Sequence, residues 1–348
     1  VTTESGQRVP VASRPRALLV PQAGTRRGAH AWALPLVLVV AIAFPFISGG
    51  NAYNLQLAGD ALALGTWVMG LDILVGYTGL VSFGHAAWLA VGAYTFGYLA
   101  QHGWDAVPAT AVTIVVAAVL SWLAGVVATR AGGLAFAIIT LAEGVVLYTV
   151  ILQLNFLGGG IGMFGVPLPR IAGLNLLGSE RSLYFFALVL AVASYLVLRL
   201  LVASPFGSFL RAIRDDRVRA QSVGIELQRH EVMAFVVAAV IGAVGGIAFV
   251  TLNAGIGPSQ FDWTQSGLAL VILIIGGSGT IYGAMIGAVI YEFASSYLTS
   301  SFANSWQVYF GALFVALVLL LPGGVAGVLQ TAARRLLRRP ASPRRRPA

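Results

Sequence analysis

The stretch GYTGLVSFGHAAWLAVGAY, Gly76 to Tyr94, places Thr78, Ser82 and His85 among Gly76, Gly79, Gly84 and Gly92 in otherwise apolar sequence. Glycine lets helices approach closely and lets the chain break without steric penalty. Broken backbone at membrane depth survives only where protein or a water-lined cavity satisfies it. Two hydroxyls and an imidazole at such a break suit a narrow polar wall beside a translocation path, or a set of bridges between helices. Thr78, Gly79, Ser82, Gly84 and His85 are therefore candidate path residues. Glu143 joins them because it falls near the middle of an apolar run, where a carboxylate is costly and points to function. Glu292 sits in another such run, and for both the alternative is a protonated bridge to a neighbouring helix. Asp60 and Asp72 fall nearer the ends of their run, where water would reach them. His30, His102 and His230 lack metal-ligand spacing, and neither a catalytic constellation nor a metal site is expected.

Composition says what must hold these residues. Of 348 residues, 58% are hydrophobic and 9% charged, more apolar surface than a water-soluble core can hide. The chain reads as an integral membrane protein in contact with the lipid bilayer. It has no cysteine, which removes disulfides, thiolate ligands and cysteine nucleophiles. All 21 basic residues are arginine, so a phosphate-binding loop ending in Gly-Lys-Ser/Thr and a lysine Schiff base are both excluded. No cofactor is expected on this chain. GIGMFG, Gly160 to Gly165, matches the dinucleotide fingerprint by letter only; it follows a membrane helix and runs into Pro167 and Pro169 instead of a helix start.

Apolar runs of membrane-spanning length predict an all-α, polytopic transmembrane helical bundle of about ten helices with broken or re-entrant segments. The predicted helices are Ala31–Ser48, Leu55–Val75, Gly84–Ala100, Val107–Ala128, Leu134–Leu154, Leu183–Leu201, Val232–Thr251, Gln265–Gly276, Ile281–Leu298 and Gln307–Leu321. The eighth is short enough to re-enter, or to fuse with its neighbour near Gly276 to Gly279. Arginines gather at Arg8 to Arg27, Arg199 to Arg229 and Arg334 to Arg346, each beside an apolar run. That placement fits cytoplasmic loops and headgroups, not nucleic acid, and ten crossings put all three clusters on one side. The expected organisation is a cytoplasmic arginine-bearing leader over 1–30, a transmembrane domain over 31–322 and a cytoplasmic basic tail over 323–348, with both termini cytoplasmic. The first apolar run is expected to stay as a helix; a cleaved signal peptide is the alternative. Gly76, Gly79 and Gly84, and again Gly276, Gly279 and Gly283, precede helices with Gly92-Ala93 and Gly287-Ala288 inside them, a spacing that hints at an internal repeat.

The segment SPFGSFLRAIRDDRVRAQSVGI, Ser204 to Ile225, within the loop over 203–231, reads as one helix. Ser204 is its cap, Pro205 its first residue and Gly224 its left-handed stop. Phe206, Phe209, Leu210 and Ile213 fall on one stripe. A helix on the lipid surface, a solvated loop and a docking helix for a cytoplasmic partner all compete here, and the adjacent Asp215 and Asp216 disfavour an anionic surface.

ALALGTWVMGLDILVGYTGLVSFGHAAWLAVGAY, the loop just quoted with the ELQRHEVMAFVVAAVIGAVGGIAF that follows it, and GGSGTIYGAMIGAVI together resemble the inner-membrane permease subunit of branched-chain amino acid ABC importers, the LivM type. The resemblance spans about Leu55 to Leu321. It implies a bacterial inner-membrane permease working by alternating access and hydrolysing no ATP itself. The implied partners are a second homologous permease subunit, two cytoplasmic ATP-binding subunits and an extracytoplasmic amino-acid-binding protein. The loop would be the coupling helix, with the family pattern landing on Arg211, Ala212, Arg214, Asp215, Ala220 and Gly224. Arg217 departs from the acidic residue common in the family, and Leu157 stands where Thr or Ser usually precedes an external glycine pair. A proton-coupled secondary transporter using Glu143, or an ABC permease for urea or short amides, are the other readings.

Overall fold

The computed structural model describes residues 30–47, 49–302, 305–321 and 323–336. Residues 1–29 of the leader and the arginines from Arg338 onward lie outside the described residues. Thirteen α-helices occur among the described ones: α1 His30–Ile47, α2 Ala52–Asp72, α3 Ala86–Gln101, α4 Ala106–Ala128, α5 Leu134–Gln153, α6 Glu180–Ala203, α7 Pro205–Asp215, α8 Arg217–Ser222, α9 Leu227–Asn253, α10 Trp263–Gly276, α11 Tyr282–Ser301, α12 Trp306–Leu320 and α13 Gly324–Leu336. A π-helical turn, Ile73–Thr78, prolongs α2. Each of the ten segments predicted from apolar runs falls on a helix. The chain is a polytopic helical bundle, with one short antiparallel pair, β1 Met163–Phe164 on β2 Gly255–Ile256.

Six stretches among the described residues are long and apolar enough to cross a membrane by themselves: Ala52–Thr78, α4, α5, α6, α9 and Trp306–Thr331. Predicted crossings at α3 and α10 fall short. Their 16 and 14 residues reach about 24 and 21 Å at 1.5 Å per residue, against a hydrocarbon layer of about 30 Å.

The reason for α3 is visible in its entry. The chain leaves the π turn at Gly79, whose φ of +77° only glycine adopts freely. It then runs back beside α2 without helix until His85, whose carbonyl accepts the Trp67 indole N–H at 3.0 Å. Trp67 lies eleven positions before Thr78, so α3 starts about 16 Å inside the end of its neighbour. The predicted break in the helices falls on this extended segment.

α2, α3 and α9 form the inner layer. In α2 and α9, 78% and 72% of the spanning window is buried, against 28%, 22% and 28% in α4, α5 and α6. Small residues set that layer's spacing. A Cβ at Gly92 of α3 would strike the Ala243 carbonyl of α9, and one at Gly246 would strike the Leu89 carbonyl in return. Close backbone approach supplies dispersion contact that lipid cannot, since apolar side chains gain little by leaving one hydrocarbon for another.

Two faces of the bundle follow from the contacts. On one, Arg217 packs over Gly132 between α4 and α5, Arg214 lies over Gly79 and Gly279, and Gly277 abuts Gly323 and Ala326. On the opposite face, the Gly173 N–H bonds Asp105 at 3.1 Å, β1 meets β2, and Gly50 lies against Arg181.

Candidate coupling and translocation site

The loop after α6 does not form the single helix that its end signals suggest. It breaks at Asp216, which is extended (φ −162°, ψ 102°) and accepts the Arg219 N–H at 3.0 Å on its side chain. The second aspartate of the pair is thus the cap of a new helix, α8, and short acidic side chains favour that position over a helix interior. Pro205 occupies the first turn of α7, and Gly224, at φ +90°, ends α8 in the left-handed conformation. Ser204 precedes α7 without capping it; its hydroxyl donates back to the Leu201 carbonyl at 2.6 Å.

The apolar stripe turns inward. Leu210 and Ile213 are 1% and 0% exposed within this one chain, and Ala220 of α8 is buried too. They therefore seat α7 and α8 on the chain's own bundle, where the sequence suggested a partner's groove. Phe206 stacks on His230 and Phe209 meets the same imidazole edge-on, with centroids 6.1 and 5.1 Å away. Phe209 is also 40% exposed, and Val218 of α8 and Val223 just after it are 79% and 71% exposed. These side chains, with Asp215 and Arg219 nearby, make the outward surface. Arg211 donates to the Val202 carbonyl and the Ser208 hydroxyl, both at 3.1 Å.

Arg217, the departure from the family pattern, has a partner of its own. Its guanidinium pairs with Glu231 at 2.7 Å, with a second bond at 3.2 Å, and Glu231 is fully buried near the start of α9. Arg214 reaches across to α2, donating to the Gly76 carbonyl in the π turn.

The interrupted segment lies directly above. Thr78 donates to the Leu74 carbonyl at 2.7 Å, and its oxygen receives the Leu80 N–H at 3.3 Å. Phe83 donates its N–H to Thr140 of α5 at 3.2 Å. Gly84 presses against the backbone of Thr140 and Gly144, where any Cβ would clash. The Ala86 N–H at the head of α3 goes to the Ser266 hydroxyl of α10 at 2.9 Å. With its proton on Nε2, His85 donates to the Trp67 carbonyl at 3.2 Å. Nδ1 of His85, the Ser82 hydroxyl and both Glu143 oxygens are inaccessible and find no hydrogen-bond partner among the described residues. Such groups are rare in folded proteins and call for an explanation.

The structure thus joins the two predicted sets. Gly76 and Gly79 meet Arg214 from below, and Gly84 meets the Thr140–Gly144 turn that carries Glu143. Thr140, Ser266, Trp67 and Glu231 complete the arrangement, and nothing in their spacing announced them. Asp72 was misplaced by its position near a helix end: it is wholly buried, because the turn between α10 and α11 folds over it.

Residues 53–322 match the family described as branched-chain amino acid transport system, permease component. The chain belongs to that family. The high-affinity branched-chain amino acid transport system permease protein LivM of Salmonella typhimurium is 28% identical over 320 residues, covering 84% of this chain and 74% of the relative. Its Escherichia coli counterpart is 27% identical over the same span and coverage. A second kind of permease, the LivH protein of Escherichia coli, is 27% identical over 301 residues, covering 79% of this chain and 96% of the relative. No solved structure matches the chain. The family match runs from the start of α2 to the end of α12, so both glycine breaks, the α7–α8 pair and the inner layer all lie within it. A membrane permease component and not an enzyme is what this family describes.

Proposed function

We propose that this chain is the membrane-spanning permease of an ATP-driven importer of branched-chain amino acids in a bacterial inner membrane. One observation carries the reading furthest. A short helix pair, held outside the bundle by a buried stripe, presents an exposed apolar and charged surface outward while Arg214 reaches the break in α2. A carrier driven by an ion gradient needs no such outward element.

The face with α7 and α8 also carries Arg130, Arg199 and Arg229, whereas the opposite face carries Arg170 and Arg181 with Asp105, Glu180 and Asp262. The arginine asymmetry supports a cytoplasmic assignment for the α7–α8 face and for both ends of the chain. Of the two cytoplasmic ATP-binding subunits, one would dock on Phe209, Val218 and Val223 and the other on the second permease subunit. A second homologous permease subunit would pack on an exposed flank of the bundle, and an extracytoplasmic binding protein would deliver substrate to the β1–β2 face. Thr78, Gly79, Ser82, Gly84, His85 and Glu143 would form the wall that alternating access re-gates. Uptake into vesicles holding the full set of subunits tests the reading, with labelled leucine, phenylalanine and urea in competition. Leucine uptake that requires ATP on the ATPase side is the expected result. Uptake driven by a proton gradient alone, or urea outcompeting leucine, overturns it.

A further inference from the structure

Asp72 ends α2 with a carboxylate that is fully buried and held by a different part of the chain. Oδ1 accepts the Gly279 N–H at 2.6 Å and Oδ2 accepts the Ile281 N–H at 2.9 Å. Both donors belong to the turn between α10 and α11. N–H groups at the start of a helix have no intrahelical partner, so the carboxylate supplies one. It also holds Ile281 at φ +54°, a conformation costly for a β-branched residue. One turn further along, Gly76 lets α2 lie on that same turn: a Cβ there would stand 2.5 Å from Gly279 N and 2.7 Å from its Cα. Arg214 of α7 closes the arrangement. It donates to the Gly76 carbonyl, its Cγ would stand 3.3 Å from a Cβ at Gly79, and its Nη1 would stand 3.6 Å from one at Gly279. Two glycine breaks, 200 positions apart in sequence, therefore meet under one guanidinium and over one carboxylate.

We propose that Asp72 is a positioning residue for coupling: with Arg214 it ties the cytoplasm-facing helix pair to the α10–α11 hairpin, so that a displacement of α7 carries the hairpin with it. This rests on the importer reading above. Charge-assisted bonds to two backbone N–H groups at once are short and directional, and a carboxylate is acceptor-only when ionised. Asparagine keeps the volume but must turn an NH2 toward one of the two donors. Asp72→Asn thus cuts one tie of the latch without opening a cavity.

The test uses the complete complex in proteoliposomes and two readouts. The first is substrate imported per ATP hydrolysed. The second is the distance between spin labels at Ser208→Cys, an exposed position of α7, and Ser278→Cys in the hairpin turn, placed in a chain with no native cysteine. With Asp72 present, the label distance stays constant between nucleotide-free and ATP-trapped states, because both ends move together. In Asp72→Asn, the ATPase still co-purifies and hydrolyses ATP, import per ATP falls about tenfold, and the label distance changes between states. An unchanged ratio, or a lower ratio with a constant label distance, overturns the proposal and leaves Asp72 a packing residue only. Should Asp72→Asn fail to assemble, Arg214→Gln cuts the other tie and the same two readouts decide. An unaltered complex that imports nothing on ATP overturns the importer reading instead, and it is scored before any variant.

Discussion

Glu231 and Glu143 are both carboxylates that this membrane protein withdraws from water, and they have opposite surroundings. Glu231 is paired with Arg217, whose own side chain is 38% exposed. Removing the guanidinium by Arg217→Met would strand a buried charge, a loss of roughly 3 kcal/mol. Arg217→Met with Glu231→Gln should recover most of it, which thermal unfolding of the detergent-purified chain will show. Glu143 has no partner among the described residues, so Glu143→Gln strands nothing. It should leave assembly and melting unchanged while removing most of the leucine uptake. Uptake that persists in Glu143→Gln would reduce the residue to a helix bridge. Position in the middle of an apolar run made Glu143 a candidate, and the same logic hid Glu231 and Asp72, which fall near the ends of theirs. Whether a carboxylate near a helix end is wet or buried depends on what folds over it from elsewhere, and for Asp72 that is a turn about 200 positions downstream.

The element that sequence patterning described best and oriented least well is the α7–α8 pair. Proline at the first turn, the stripe at helical spacing and the left-handed Gly224 are local signals, and all are found where expected. Which way a stripe faces is a tertiary fact. In a membrane protein an amphipathic loop can turn its apolar side to its own bundle or to a partner with the same spacing. Ile213→Asp should consequently act on the chain itself: it buries a charge against α7's own support and should lower folded yield by several kcal/mol of stability. Val218→Asp, 79% exposed, should leave folding intact and weaken co-purification of the ATPase. The reverse pattern, with Ile213→Asp folded but unable to hold the ATPase, would mean that the stripe swings outward in the assembled complex. Gly224→Val should fold but misdirect the end of α8, since a branched residue resists positive φ; uptake is expected to fall further than ATPase binding.

For the whole molecule, the proposed sidedness rests on arginine asymmetry and on the contacts between turns. Single cysteines at Asp215 and Phe156, both exposed, should react with a membrane-impermeant reagent from opposite sides, Asp215 from the cytoplasm. Labelling of both from one side would refute the two-faced arrangement. Apolar periodicity found the helices because it needs only local sequence. It could not tell a full crossing from α3, whose 16 residues begin part-way along the neighbouring α2. That late start bears on biosynthesis. α3 has an extended, polar lead-in and too little length to settle in lipid as an independent span. The backbone that it packs against, around Ala243 and Gly246, is synthesised about 150 residues later, which at ribosomal speeds is roughly 8 to 30 s. Until α9 emerges, the stretch from Gly79 to Gln101 must wait in an aqueous or chaperoned setting beside the insertion channel. Nascent chains stopped before α9 should therefore leave that stretch open to proteases, and it should become protected only once α9 has cleared the ribosome.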